Sequence, residues 1–279
     1  MPDRTIRELL DHAAARLSGS ATARRDAELL LMRAAGRDRA WILTHPEAQL
    51  DAEPMAAFES WIARRAHYEP VQYLLGETEF YGLAFTVTPD VLIPRPETEH
   101  LVEAALERVQ RAAPVRICDV GTGSGAIAVA LAHTLPNAHV TALDLSPAAL
   151  AVARQNAERC GVADRMRWAE SDLLNAVCGE RFDMVVSNPP YVRDDERLEE
   201  QVRNFEPHAA LFAGPTGLEV YERLIPEARV ALVPGGWLLM EIGQGQRDAL
   251  AHLLAGWEAV AFKDDFQGIP RVAMARRGA

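Results

Sequence analysis

Asn188, Pro189, Pro190 and Tyr191 stand together just after a strand-like run at residues 182–186. The two prolines have no N–H and a fixed φ, so the chain cannot pair onward as strand there. Its carbonyls are left facing outward. The Asn188 side-chain oxygen and the Pro189 carbonyl then form two acceptors held close together. Such a pair suits a planar NH2 group, which carries two donors. Tyr191 can pack its ring against the flat group that bears the NH2. A side-chain amide and the exocyclic amine of a base both fit. Taken alone, the four residues are equally well explained as a rigid loop with an asparagine turn.

A second group of residues can bind a nucleoside. In the stretch DVGTGSGA, Gly121, Gly123 and Gly125, with Thr122 and Ser124 between them, separate a strand-like run from a helix-like one. Glycines allow positive φ and close approach of backbone to a ligand. The helix N-terminus behind them offers N–H groups. Asp144 ends the next strand-like run, at the distance where a carboxylate accepts from both ribose hydroxyls. The turn also satisfies the dinucleotide fingerprint, so a nicotinamide enzyme is carried as a rival. Asp119, two residues ahead of the first glycine, counts against it. The pattern DxGxGxG resembles the first motif of S-adenosylmethionine-dependent methyltransferases. In that class an acid ending the third strand accepts from the adenine amino group, which singles out Asp172. Capping of the helical turn that follows competes for the same residue.

Methyl transfer to an amide nitrogen is demanding, because the nitrogen lone pair is delocalised into the carbonyl. Acceptors on both N–H groups orient that nitrogen and stabilise the charge it develops. A sulfonium already supplies a reactive methyl, so no strong general base is required.

These residues need a scaffold. The first seventy or so residues read as amphipathic helices, with Ile6, Leu9, Leu10, Ala13 and Leu17 on one face. Thr22 is the expected N-cap and Gly36 the expected stop of the second helix. A third helix is expected to run on to Pro70. The texture then changes: Phe80, Tyr81, Phe85, Val87, Val91 and Ile93 suggest two strands around Thr88-Pro89-Asp90. A helix is expected from the following PRPETE to Val109. From position 114 strands and helices alternate, with Ser146 as N-cap, Pro147 at the first helical position and Gly161 as stop of one helix. The tail reads as a terminal antiparallel pair. The pattern predicts an α/β fold, a doubly wound and mostly parallel sheet behind a small helical domain.

Composition sets further bounds. The 279 residues are half apolar and a quarter charged, as in globular domains. No apolar run reaches membrane-spanning length, and the N-terminal stretch MPDRTIRELLDHAAARL lacks the apolar core of a signal peptide. Cys118, Cys160 and Cys178 form no CxxC, so reduced thiols in a cytoplasmic protein are expected. The histidines lack paired spacing, so no metal site is expected. A net charge of −11 disfavours a nucleic acid as main partner.

Four further stretches narrow the reading: RRAHYEPVQYLLGETEFYGLAF, VLIPRPETEHLVE, VSNPPYV and EPHAALFAGPTGLEVY. Together they resemble the HemK/PrmC family of protein-(glutamine-N5) methyltransferases. The resemblance implies a helical domain at 1–76, a β-hairpin linker at 77–96 and a Rossmann-like methyltransferase domain at 97–279. It implies S-adenosyl-L-methionine as cofactor, bound by Gly121, Thr122, Gly123, Ser124, Gly125, Asp144, Asp172, Leu173 and Asn188. Leu173 stands where many members carry an aromatic residue beside adenine; an aliphatic side chain covers that face by dispersion alone. Asn188, Pro189, Pro190 and Tyr191 are implied to hold the glutamine of a Gly-Gly-Gln loop in class 1 peptide chain release factors. Arg95 and Glu97 are placed at the border of the cofactor pocket, with helix capping by Glu97, Thr98 and Glu99 near a helix N-terminus as the competing role. Two alternatives stay open: an adenine N6-methyltransferase acting on nucleic acid, and a silent binding module that kept the fold.

Overall fold

The computed structural model describes residues 4–279, which form two units. The first three positions of the stretch read as free of a signal peptide lie outside the described residues.

One unit holds the chain up to Gly76, joined by Leu198–Phe205. Its helices are α1 (Ile6–Arg16), α2 (Ala23–Ala35), α3 (Arg39–Thr44), α4 (Ala52–Arg65) and α5 (Val71–Leu75). A capping box starts α1: Glu8 N–H donates to the Thr5 hydroxyl and Thr5 N–H to the Glu8 carboxylate. The predicted face of α1 is the buried one, packed with Leu30, Leu31, Phe58 and Ile62. Gly36 ends α2 in the left-handed region, as expected. Thr22 sits at the N-cap but does not cap; its hydroxyl donates to Asp26 Oδ1 at 2.9 Å. The third predicted helix stops at Arg65, well before Pro70. Arg65 is buried and its Nε donates to Asp26 Oδ2 at 2.8 Å, while Nη1 reaches back to the Glu69 carbonyl. That bond, with Tyr68 at φ 67°, turns the chain so that Pro70 opens α5.

The other unit holds Glu77–Arg197 and Glu206–Ala279. It opens on the antiparallel hairpin of β1 (Glu77–Phe80) and β2 (Leu83–Thr86). The hairpin turn is Tyr81-Gly82, not Thr88-Pro89-Asp90. Both turn residues have positive φ, 52° and 71°, the primed geometry that matches strand twist. Val91 and Ile93 are buried but lie outside any strand; the Val91 N–H donates to the Thr88 carbonyl, so Thr88-Pro89-Asp90 makes a turn that joins no strand pair. A 3₁₀ turn at Pro96–Thr98 leads into α6 (Glu99–Leu106). This helix ends before Val109, where Arg108 Nη1 donates to the Ala104 carbonyl at 2.7 Å.

Next come β3 (Val115–Val120), α7 (Ala126–Thr134), β4 (Ala138–Asp144), α8 (Pro147–Arg159), β5 (Met166–Glu170) and β6 (Phe182–Ser187). Ser146 caps α8 as predicted, accepting from Ala149 N–H. Two-residue β7 (Val192–Arg193) pairs in parallel with β8 (Phe212–Gly214), and α9 (Glu200–Phe205) lies between them in sequence. Then follow α10 (Glu219–Ala231), β9 (Leu232–Glu241), α11 (Arg247–Leu253), β10 (Glu258–Asp264) and β11 (Pro270–Arg276). The seven-stranded sheet runs β10-β11-β9-β6-β3-β4-β5. Strands β9, β6, β3, β4 and β5 are parallel, and β11 pairs antiparallel with both β9 and β10. The chain steps outward from β3 to β4 and β5, then returns to the far side of β3 with β6 and β9. The reversal between β3 and β6 is where doubly wound sheets open a ligand crevice. No helix among the described residues is long and apolar enough to cross a membrane.

Asn156, fully buried on α8, ties this scaffold to the glycine turn. Its Oδ1 accepts from Thr86 N–H at 2.7 Å, and its Nδ2 donates to the carbonyls of Thr86 and Ser124. Asn156→Ala removes the partner of a part-buried N–H and of two carbonyls, one of them buried. We expect a loss of about 2–4 kcal/mol in urea unfolding; a loss below about 0.5 kcal/mol would mean that water replaces the side chain.

Candidate active site

The chemistry-bearing residues gather at the carboxyl ends of the parallel strands. Gly121–Gly125 connect β3 to α7, Asp144 ends β4, Ser171 and Asp172 follow β5, Asn188 follows β6, and Glu241 ends β9. Val120 pairs with Ser187, and the Ser187 hydroxyl donates to the Val120 carbonyl at 2.7 Å. The glycine turn and Asn188 therefore start side by side, on strands roughly 4.8 Å apart.

The turn binds to itself. Gly121 and Thr122 N–H both donate to the Leu143 carbonyl at 2.9 Å, and Gly125 N–H to the Thr122 carbonyl. Gly123 N–H donates to Asp144 Oδ2 at 2.8 Å, while Asp144 Oδ1 accepts from Ser146 N–H at 2.9 Å. The sequence places free N–H groups at the helix N-terminus behind the glycines; within the turn itself, four of the five residues spend theirs on the protein. All three glycines have positive φ. A Cβ on Gly121 or Gly123 would meet nothing within 4 Å, so the space over the turn is open to a ligand. A Cβ on Gly125 would press on Ala153 at 3.1 Å, so this glycine serves helix packing. Burial raises the Asp144 pKa, against the lowering effect of its backbone N–H partners. Each of its oxygens keeps a further acceptor site for a hydroxyl.

Asp119 lies wholly buried beneath the turn and accepts the Thr122 hydroxyl at 2.6 Å. Burial pushes it up to about 7, with the Asp144 charge adding and the Thr122 hydroxyl opposing.

On the other side, Asn188 Nδ2 donates to Thr98 Oγ1 at 3.2 Å, and Thr98 Oγ1 donates to Glu241 Oε2 at 2.6 Å. The Tyr191 hydroxyl donates to Glu241 Oε1 at 3.3 Å. Among the described residues nothing donates to Asn188 Oδ1 or to the Pro189 carbonyl. Tyr191 is also fixed by its backbone: Gln246 Nε2 donates to its carbonyl at 3.0 Å and to that of Gly217 at 3.1 Å. Glu241 is buried, which pushes it up to about 7 against the Thr98 and Tyr191 hydroxyls.

The comparisons with known proteins bear on the whole chain. Residues 8–76 match the PrmC N-terminal domain model and residues 98–217 the methyltransferase small domain model. A release factor glutamine methyltransferase of Koribacter versatilis (strain Ellin345) is 46% identical over 98% of this chain and 99% of its own. The chain belongs to the release factor glutamine methyltransferase family. A member from Escherichia coli (strain K12) is 40% identical over 96% of this chain and 97% of its own. In fold, the chain is similar to a methyltransferase of Pyrococcus furiosus, with TM-score 0.52, 20% identity and coverage of 71% and 90%. It is also similar to the hMettl16 catalytic domain solved with MAT2A 3′UTR hairpin 6, with TM-score 0.59, 18% identity and coverage of 75% and 82%. The Rossmann-like methyltransferase fold expected from the sequence is the one found.

Family membership leaves each side chain to be placed by the structure. Asp172 lies just past β5, exposed, and pairs with Arg223 Nη2 at 2.6 Å. Leu173 has a left-handed φ of 49°, and its carbonyl accepts the Ser171 hydroxyl at 2.8 Å. It is Ser171 that caps the following turn, accepting from Ala176 N–H. Arg95 pairs at 2.5 Å with buried Glu206, which also accepts from Ile93 N–H. Glu99 accepts from Tyr81 N–H, so it holds the hairpin turn rather than a helix end. The sequence reading gave Thr98 only a capping role, which its hydroxyl does not fill, and missed Glu206, Glu241 and Gln246. An acid closing the apolar run LLMEIG was the available signal for Glu241.

Asp119 sets a test by stability. Its unfolded pKa is about 3.9 and its folded one is raised. The stability it contributes is full below the unfolded value and is lost as pH rises through about 7. Asp119→Asn should therefore lose less stability than the parent between pH 5 and 8 in urea melts. Parallel stability curves would show that Asp119 stays ionised in the fold.

Proposed function

We propose that this protein transfers a methyl group from S-adenosylmethionine to the side-chain N5 of the glutamine in the Gly-Gly-Gln loop of class 1 peptide chain release factors. The observation that carries the reading is the pair of unengaged acceptors, Asn188 Oδ1 and the Pro189 carbonyl, one strand away from an open glycine turn. The names of full-length relatives point to the same reaction. We read it as a cytoplasmic reaction on a protein; the net charge of −11 disfavours a nucleic acid as substrate.

The cofactor fits the residues present. Open space over Gly121 and Gly123 admits a nucleoside, and the outward lone pairs of Asp144 accept its ribose hydroxyls. Leu173 covers the adenine face, and Asp172 accepts from the adenine edge if it leaves Arg223. When bound, the cofactor supplies an activated methyl. Asn188 Oδ1 and the Pro189 carbonyl each accept one N–H of the target amide. That draws the nitrogen lone pair out of conjugation and aims it across the β3–β6 boundary. As positive charge builds on the nitrogen, both acceptors bind its hydrogens more strongly, which favours the transition state over the ground state. Pro190 holds the segment off the sheet, and the Tyr191 ring packs on the amide plane. The S–CH3 bond breaks as the N–CH3 bond forms, and the excess proton on the methylated amide then passes to solvent water, since no general base is required.

Two substitutions separate the halves of the site. Asp144→Ala should weaken S-adenosylmethionine binding about tenfold to a hundredfold in calorimetry; unchanged affinity in a folded variant refutes the ribose role. Asn188→Ala should leave that affinity within a few fold and lower kcat on the order of 10²–10³. Normal turnover on intact release factor would remove Asn188 from the amide site.

The product decides the function. Fragment mass spectrometry should find one methyl on the Gly-Gly-Gln glutamine. Replacing that glutamine by asparagine, which withdraws the amide by one methylene, should abolish transfer. Unmodified release factor together with methylated adenine N6 in DNA or RNA would establish the alternative.

A further inference from the structure

The two ends of the Asn188 side-chain amide are alike in shape, and only its oxygen end can hold a target N–H. Something must choose which end faces the substrate. The hydrogen-bond order around Glu241 makes that choice. An ionised carboxylate only accepts. Glu241 Oε2 takes the single Thr98 hydroxyl proton at 2.6 Å, and Oε1 takes that of Tyr191 at 3.3 Å. Thr98 Oγ1, its proton committed, can only accept from its remaining neighbour. That neighbour is Asn188, so the NH2 end must face Thr98, as it does at 3.2 Å. Thr98 and Glu241 are both buried, 4% and 3% exposed, which limits exchange of this order with water.

We propose that Glu241 is a positioning residue for methyl transfer: acting through the Thr98 hydroxyl, it keeps the Asn188 oxygen turned toward the target nitrogen. This rests on the reading of Asn188 as holder of the target amide. Neither Glu241 nor Thr98 contacts the reacting atoms in this scheme.

The arrangement carries a proton dependence. A protonated Glu241 can donate to Thr98 Oγ1, which frees the Thr98 proton to turn toward Asn188. The amide is then favoured the other way round, with NH2 facing the NH2 of the substrate. The groups facing Glu241 are the Thr98 hydroxyl and the Glu97 carboxylate from the 3₁₀ turn, the Tyr191 hydroxyl after β6, Arg271 on β11, and buried Tyr221 on α10, whose hydroxyl donates to the Glu241 carbonyl at 2.8 Å. Arg271 favours the ionised form and Glu97 opposes it, but burial dominates and sets the value to about 7. Activity should fall as pH drops through that value.

The test compares the full chain with Thr98→Ser, Thr98→Val and Glu241→Gln on intact release factor from pH 6 to 9. Thr98→Ser keeps the hydroxyl and should keep kcat. Thr98→Val should lower kcat by up to roughly a hundredfold, the scale of a misplaced reacting group, with S-adenosylmethionine affinity within a few fold. Glu241→Gln is the neutral isostere of the protonated acid, so it should show at every pH the lowered kcat that the parent reaches below about 7, with no pH step of its own. A Thr98→Val enzyme with parental kcat, or a Glu241→Gln enzyme with the parental pH profile, overturns the inference and leaves the amide-transfer reading standing. Should Thr98→Val fail to fold, the Glu241→Gln profile decides alone. A readout without turnover is the NMR titration of the Glu241 carboxyl carbon and the Asn188 side-chain NH2 protons. They should shift together in the parent; independent titration overturns the network. If the parent methylates no release factor at any pH, the reading fails first, and with it the purpose assigned to the network.

Discussion

The ladder between β3 and β6 is the contact on which the site depends. These strands are neighbours in space but far apart in the chain, because the chain reverses direction of travel at this point of the sheet. Register there is closed by Val120 against Ser187, with a side-chain bond across the same pair. A slip of one residue would turn every side chain of β6 to the opposite face and carry Asn188 away from the glycine turn. The buried runs of both strands, flanked by helices on either side, hold that register through hydrophobic packing.

Around this seam, each half of the site is stiffened by groups that do not belong to it. Asp144 braces the glycine turn from β4, and Asn156 braces it from α8 while also gripping the hairpin. Thr98, Glu241 and Gln246 do the same for the Asn188–Tyr191 segment, from the 3₁₀ turn, β9 and the start of α11. Loops at a sheet edge are the mobile part of such folds. Here they are tied to strands and helices by buried hydrogen bonds, which supports placement of reacting atoms within a fraction of an ångström.

Much of this could be read from the sequence, and the remainder has physical causes. Alternating strands and helices from position 114 were legible because βα units carry local signals: glycine turns, the Ser146-Pro147 start and apolar runs. Asn188 and the glycine turn stood out because unusual residue types fall at strand ends. The hairpin was misplaced because Thr88-Pro89-Asp90 is a stronger turn signal than Tyr81-Gly82. The latter becomes a turn only through a left-handed tyrosine whose N–H is held by Glu99, a contact 18 residues away. The early end of α4 depends on the buried Arg65–Asp26 pair, 39 residues apart in sequence. Thr98 and Glu241, separated by 143 residues, could not be linked by any spacing rule. Tyr191 was read only as a packing ring, because the partner of its hydroxyl comes from another strand.

The self-bonded glycine turn has a consequence for competition among nucleotides. A phosphate is held at a strand–helix turn by free N–H groups and the positive end of the helix. Here Gly121, Thr122, Gly123 and Gly125 have given their N–H groups away, and two carboxyls, Asp119 and Asp144, sit below and beside the turn. A pyrophosphate brought to this place would find few donors and the charge of Asp144. A nucleoside whose chain carries a positive sulfur in place of phosphate meets no such penalty. Among ATP, the nicotinamide dinucleotides and a sulfonium nucleoside, the electrostatics of this turn therefore favour the last.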